Sequence, residues 1–178
     1  MIPNIIGYHT NSKEKCERYI NEGIFIESKD IKWLGCGMYF WDNISNAIYW
    51  REEKIRKMEA AELLIIKANV LIEELLDLTD LQVLEFINEM WIIYCERIDR
   101  RKRNAPMGKK LDALFKMFEE LDESYSVMKV NGFYKKTPVS DFFVESNNSM
   151  ITNKVKTIYC VRRKEKAVEA EIFEKEVA

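Results

Sequence analysis

One stretch of this 178-residue chain concentrates residues that could do chemistry: Trp33-Leu34-Gly35-Cys36-Gly37-Met38-Tyr39-Phe40-Trp41-Asp42, preceded by Tyr8-His9-Thr10 and followed by Ala47 and Trp50. Two glycines let a backbone approach a flat ligand closely. An imidazole and a phenol offer a polar clamp, and a second aromatic at Trp50 offers a stacking face. Stacking geometry, not a charged nucleophile, is what such a set supplies. The chemistry it suits is the gripping of a planar group, with orientation as the main catalytic lever.

Each residue also has a plainer use. His9 beside a strand serves equally as a structural histidine, and Trp50 on the inner side of a helix equally as core. A Gly-x-Gly near aromatics is by itself a turn signal, and Cys36 between its glycines reads as a small filler. Only the conjunction points to a site.

Elements to position it follow from periodicity. Ile5, Ile6 and Tyr8 form a β-like run ending at His9, after which Asn11 and Glu14 have the spacing of a helix cap and Gly23 ends the helix. Ile24 and Ile26 alternate like an edge strand, and residues 29–32 read as polar loop. Gly37 to Trp41 suits a short strand. Asp42 or Asn43 caps a helix to about Lys57, and Leu63 to Val70 is the strongest candidate for a central strand. Thr79-Asp80-Leu81-Gln82 has the form of a capping box opening a helix to about Arg97, with Leu84, Ile87, Met90, Trp91, Tyr94 and Ile98 at helical period. Leu111, Leu114, Phe115, Phe118 and Leu121 mark a second amphipathic helix. Val127 to Phe133 and Val155 to Val161 read as strands, residues 134–154 as a long loop, and the end as a charged tail of low specificity. The whole reads as one α+β domain over residues 1–178.

Composition limits the function classes. The apolar content of 47% supports a real core, and a net charge of −2 gives no whole-molecule attraction for nucleic acid or anionic membrane. Four scattered cysteines and one histidine support neither a zinc site nor a disulfide framework, so no metal is expected. The first residues lack a charged leader, and no run approaches the roughly 18 apolar residues of a membrane span. A cytoplasmic protein with reduced thiols, and no membrane contact, is the expectation.

In order and spacing, Tyr8-His9-Thr10, Gly35-Cys36-Gly37-Met38-Tyr39-Phe40, Ala47 and Trp50 resemble the ADP-ribosyltransferase superfamily, in its histidine-tyrosine branch of diphtheria toxin and the poly(ADP-ribose) polymerases. The resemblance covers roughly residues 5–78, with a weaker echo at 155–168. It implies a split antiparallel sheet with a helical insertion at about 80–122 and an acceptor-side loop at 134–154. It also implies NAD as substrate. His9 would then hydrogen-bond the ribose next to adenine, and the Thr10 backbone would pair with the nicotinamide carboxamide. Tyr39 and Trp50 would sandwich the ring. Gly37, Phe40 and Ala47 would complete the pocket, Ala47 standing where many polymerase-type members have serine.

The family's glutamate position falls on Ile158, as in the variant of the branch that transfers single ADP-ribose units; polymer formation is not expected. Glu145, in the preceding loop, is the reserve candidate for an acid, or simply an exposed loop residue. The resemblance thus implies a mono-ADP-ribosyltransferase of the kind found among small bacterial toxins and defence effectors, modifying an unknown protein or nucleic acid. The alternatives are a non-catalytic NAD or ADP-ribose-binding module, in which Ile158 marks lost chemistry, and a nucleic-acid-directed relative. Arg100, Arg101, Lys102 and Arg103 are a candidate phosphate-contacting patch for such an acceptor, or a solvated interhelical loop.

Overall fold

The computed structural model describes residues 2–57, 62–98, 103–137 and 152–173. Its elements run β1 (Asn4–Ser12), α1 (Lys13–Glu22), β2 (Ser28–Asp30), β3 (Gly35–Trp41), α2 (Ile44–Lys57), β4 (Leu63–Leu71), β5 (Leu75–Asp77), α3 (Leu81–Arg97), α4 (Met107–Met117), α5 (Glu119–Ser124), β6 (Val127–Phe133), β7 (Val155–Val161) and β8 (Ala167–Ile172). The strands form an open sheet of order β5-β6-β7-β3-β1-β4-β8, with β2 added to β3. Every pairing is antiparallel except β5 with β6. The architecture is α+β.

Successive residues of a strand point to opposite faces, and both faces of this sheet are covered. Met38, Phe40, Val127, Tyr159 and Val161 join Ile66, Ala68 and Val70 of β4 under Cys16 and Tyr19 of α1. Their sequence neighbours Leu76, Met128 and Cys160 meet Trp91, Tyr94, Leu111, Leu114, Phe115 and Leu121 of the helical insertion on the other side. Each such side chain contributes roughly 1.5–3 kcal/mol on leaving water, so the two clusters together fix which way every residue of β3 and β7 points.

Several expected elements fall where periodicity put them, among them β3, α2, β4, β6 and β7. Asn43 caps α2 by accepting the Asn46 N–H at 2.9 Å, and Gly23 ends α1 in the left-handed conformation at φ 66°. Other expectations need correction. The predicted cap at Asn11 lies inside β1, because Asn11 and Ser12 still pair with Leu64 and Leu63. The edge strand expected at Ile24 and Ile26 forms instead at Ser28–Asp30, in the supposed polar loop, since that is where the Gly35–Gly37 backbone offers partners. The capping box is displaced by one residue: Asp80 accepts the Gln82 and Val83 N–H groups, while the Thr79 hydroxyl is taken by Asp77. A carboxylate suits the positive end of the helix better than a hydroxyl does.

The expected second helix breaks at Phe118, whose backbone is extended, so α4 and α5 share its apolar side. On α3, Leu84 and Ile98 turn out exposed, and the inner side is Trp91, Tyr94 and Cys95 with Ile87 and Met90. The charged tail also has structure: β8 lines the free edge of β4, with Lys67 ion-paired to Glu171 at 2.9 Å.

The two glycines of the central motif serve the fold itself. A Cβ on Gly37 would fall on the Cys160 sulfur and lie 2.7 Å from the Val161 carbonyl oxygen. Gly35, at φ 80°, leaves the space that the Asp112 carboxylate occupies, and that carboxylate accepts the Cys36 N–H at 2.8 Å. Substituting Gly37→Ala is therefore expected to destabilise the protein by about 2 kcal/mol or more, as overpacking against backbone does. Urea denaturation checks this; an unchanged midpoint would contradict the close approach of β3 to β7.

Candidate functional site

The site begins as a gap in hydrogen bonding. One edge of β3 is paired throughout Met38–Trp41 with β7. The opposite edge is paired by β2 at Gly35–Gly37 and by β1 at Trp41, opposite Tyr8. Between them, at residues 38–40, β1 peels away toward β4 and neither strand supplies a ladder partner. The sheet splits there.

His9 bridges the split. Its Nδ1 lies 2.7 Å from the Tyr39 carbonyl oxygen and its Nε2 3.2 Å from the Asn11 amide nitrogen. A carbonyl can only accept, so Nδ1 carries the proton and donates, and Nε2 is left as an acceptor. The ring is 4% exposed and rests at 5.7 Å, centre to centre, on the Phe40 ring of the core. Burial pushes its pKa from 6.5 down to about 4, the bond to the Tyr39 carbonyl opposes this, and the Lys54 and Lys15 charges lower it further. His9 is neutral at neutral pH, presenting a lone pair.

Around that lone pair the split widens into a cleft of about 230 Å³. This is less than the ~300–1,000 Å³ of pockets that enclose whole ligands. It suits one flat end group with the remainder of the ligand lying across the open side. It is lined by His9, Thr10 and Asn11 of β1, Ser28, Asp30 and Trp33, Tyr39, Phe40 and Trp41 of β3, Trp50 and Lys54 of α2, Tyr134 and Ile158. The aromatic rings make a continuous surface. Trp33 stacks on Tyr134 at 6.0 Å and 16°, Tyr134 meets Trp41 edge-on at 5.8 Å, and Trp41 meets Trp50 at 6.2 Å.

Most of the residues singled out by the sequence come together here: His9, Thr10, Tyr39, Phe40, Trp50 and Ile158 all line the cleft. Their detailed roles differ from the expectation. The Tyr39 hydroxyl donates to the Gly35 carbonyl at 2.7 Å and accepts the Leu34 N–H at 3.2 Å, and burial raises its pKa well above the usual phenol value. It is a brace for the ring, not a polar clamp. Trp50 finds its ring partner in Trp41, so any sandwich on the Tyr39 side must be completed by a ligand.

Gly37 and Ala47 stand outside the cleft lining. The expectation that the glycines admit a ligand is corrected by their contacts with Cys160 and Asp112. Ala47 is fully buried, and its carbonyl accepts the Thr10 hydroxyl at 3.1 Å, which ties α2 to β1. Trp33, Trp41 and Tyr134, to which the sequence reading assigns no role of their own, also line the cleft. Trp33 and Trp41 flank the central motif and were legible as such; Tyr134 arrives from a distant strand end that carries no local signal.

Asp30 is the acid among the cleft-lining residues, and its carboxylate already accepts the Lys32 and Trp33 N–H groups at 2.9 and 3.3 Å. Glu145, Arg100, Arg101 and Lys102 lie outside the described residues. Arg103 lies within them and contributes its carbonyl to the Trp91 indole N–H at 3.2 Å. Among the described residues no group of three His, Cys, Asp or Glu could hold a metal ion, and no helix is long and apolar enough to cross a membrane. A second hollow, about 150 Å³ beside α1, is lined by exposed Lys15 and Arg18 and holds no buried polar side chain. No family model, curated protein or solved structure matches the chain.

The buried neutral His9 makes stability depend on pH. Its folded pKa lies below 6.5, so between about 4 and 6.5 the unfolded chain binds more protons, and the stabilisation present above 6.5 is lost as pH falls through that window. The full depression corresponds to about 3 kcal/mol. Because the chain has one histidine, denaturation at pH 7 and pH 5 isolates it: the wild type should lose stability between these values and His9→Gln should lose much less. Equal losses would show that His9 is not buried in neutral form.

Proposed function

We propose that the cleft binds NAD by its nicotinamide end and that the protein transfers a single ADP-ribose unit to a macromolecular acceptor. The observation that carries this reading is the split edge of β3, where a neutral histidine and several aromatic residues line one cleft of about 230 Å³. The residues meeting there include His9, Tyr39 and Trp50, the three whose spacing resembles the histidine-tyrosine transferases.

The residues fit the chemistry. The bond between nicotinamide and C1 of its ribose breaks with the electron pair going to the departing pyridine nitrogen, which becomes neutral, and an acceptor nucleophile then bonds to C1 and loses its proton. The leaving group needs no proton, so holding it flat and fixed does more than acid catalysis. Tyr39, pinned at its hydroxyl by Gly35 and Leu34, is an immobile surface for that ring. The His9 Nε2 accepts a hydrogen bond from a ligand hydroxyl by displacing the Asn11 amide, its longer partner.

A second reading, an NAD or ADP-ribose-binding module without chemistry, is favoured by Ile158. Its apolar side chain, 5% exposed, lines the cleft at the position where the resemblance expects an acid to steady a developing ribosyl cation, and the carboxylate among the described lining residues, Asp30, already accepts two backbone N–H groups at one oxygen.

The two readings part in one experiment. With NAD at about 100 times its dissociation constant, the thermal midpoint should rise, in line with roughly 2.7 kcal/mol of added stability. Tyr39→Ala should abolish most of that rise. Mass spectrometry of a cell extract incubated with protein and NAD should show single ADP-ribose additions with release of nicotinamide. A thermal shift without nicotinamide release selects the binding module; chains of repeated units contradict the role given to Ile158, and no shift at all contradicts both readings.

A further inference from the structure

Among the described residues Lys54 is the cation of the cleft lining, and it makes no ion pair there. It sits one turn beyond Trp50 on α2 and shares the cleft lining with His9, Thr10 and Asn11. Lys129 holds Asp77 at 2.7 Å and Lys166 holds both Glu73 and Glu74 at 2.9 Å, whereas Lys156, like Lys54, is set against aromatic rings, 4.7 Å from Tyr49 and 5.4 Å from Tyr134. Among the described residues no carboxylate lies within ion-pair distance of Lys54, and the Asp30 carboxylate on the same cleft is engaged by backbone N–H groups. The ammonium instead lies 5.8 Å from the centre of the Trp50 ring, near the outer limit of a cation–π contact.

Its surroundings are electropositive. Burial and the like charge of Lys15 both push the Lys54 pKa down, and Lys54 in turn depresses the imidazole of His9. Half-burying an unpaired charge beside a second cation costs stability that an anionic partner would restore. The end of α2 continues this field with Arg56 and Lys57.

We propose that Lys54 anchors a phosphate group of the ligand, so that the cleft takes a dinucleotide or nucleoside diphosphate and discriminates against the nucleoside that lacks phosphate. This rests on the NAD reading and extends it. The flat group lies on Tyr39, a ribose hydroxyl reaches the His9 Nε2, and the diphosphate crosses the open side toward Lys54. A charge-assisted hydrogen bond of ammonium to phosphate is about twice as strong as a neutral one. It serves affinity; the leaving-group surface is elsewhere.

The test is titration calorimetry with NAD, ADP-ribose, nicotinamide riboside and inorganic pyrophosphate on the wild type, Lys54→Met and Lys54→Arg. Methionine keeps an apolar stem beside Trp50, and a ligand-free thermal midpoint at or above that of the wild type verifies the fold. Lys54→Met should weaken NAD and ADP-ribose by about tenfold or more, leave the cationic riboside bound no more weakly than by the wild type, and be largely rescued in Lys54→Arg. NAD bound equally by the wild type and Lys54→Met overturns the phosphate assignment while leaving the NAD reading intact. Pyrophosphate bound in a Lys54-dependent way, with no binding of NAD, upholds the assignment and overturns the NAD reading. Binding of neither overturns both.

Discussion

The hydrogen bond from His9 Nδ1 to the Tyr39 carbonyl, 2.7 Å long, is the contact on which the site depends. A sheet can part between two strands only if the backbone groups released there find other partners. At β3 one of those groups is satisfied by a side chain from the departing strand, and the same bond fixes the imidazole tautomer. One interaction thus keeps the sheet intact at its split, holds the ring against Phe40 and aims a lone pair into the opening. The Nδ1 bond itself would survive protonation, but the lone pair requires a neutral ring, which burial ensures at neutral pH.

Around this bond the protein separates structural from ligand-facing roles more sharply than residue types foretell. The polar tips of Tyr39 and Thr10 are used internally, on Gly35 with Leu34 and on Ala47 respectively. What remains toward the cleft is mainly aromatic face, one imidazole nitrogen and the Lys54 ammonium. On the proposed reading such a surface suits a ligand with a flat ring, a hydroxyl and an anionic group in sequence, and no cysteine lines it among the described residues. Cys160, the thiol nearest the Tyr39 hydroxyl, is pushed by burial to about 12 and is inert as a thiolate source.

Much of the fold was legible because dense apolar runs and helical periods mark it. β4, β6 and β7 follow from period and composition, and α2 from its Asn43 cap. What was not legible depended on partners. Ser28–Asp30 became a strand through the free edge of Gly35–Gly37, and residues 167–172 through the free edge of β4; neither has a strong pattern of its own. The site was legible as a set of residues: His9, Tyr39, Trp50 and Ile158 do converge. Their assignments were less so, since the glycines answer to Cys160 and Asp112, contacts made across the sheet and from α4. Tyr134 and Lys54 reach the cleft from places where sequence gives an aromatic or a lysine no distinction from a surface residue.

The central claim is that a neutral His9, locked by the Tyr39 carbonyl, offers Nε2 to NAD. Nitrogen-resolved NMR of the single imidazole tests it most directly. The account predicts that Nδ1 carries the proton in the free protein at pH 7, that it keeps that signature during titration with NAD, and that the Nε2 resonance moves and saturates as the Asn11 amide is displaced. An imidazole protonated at Nε2 instead, or an Nε2 resonance unmoved by saturating NAD, would contradict the account.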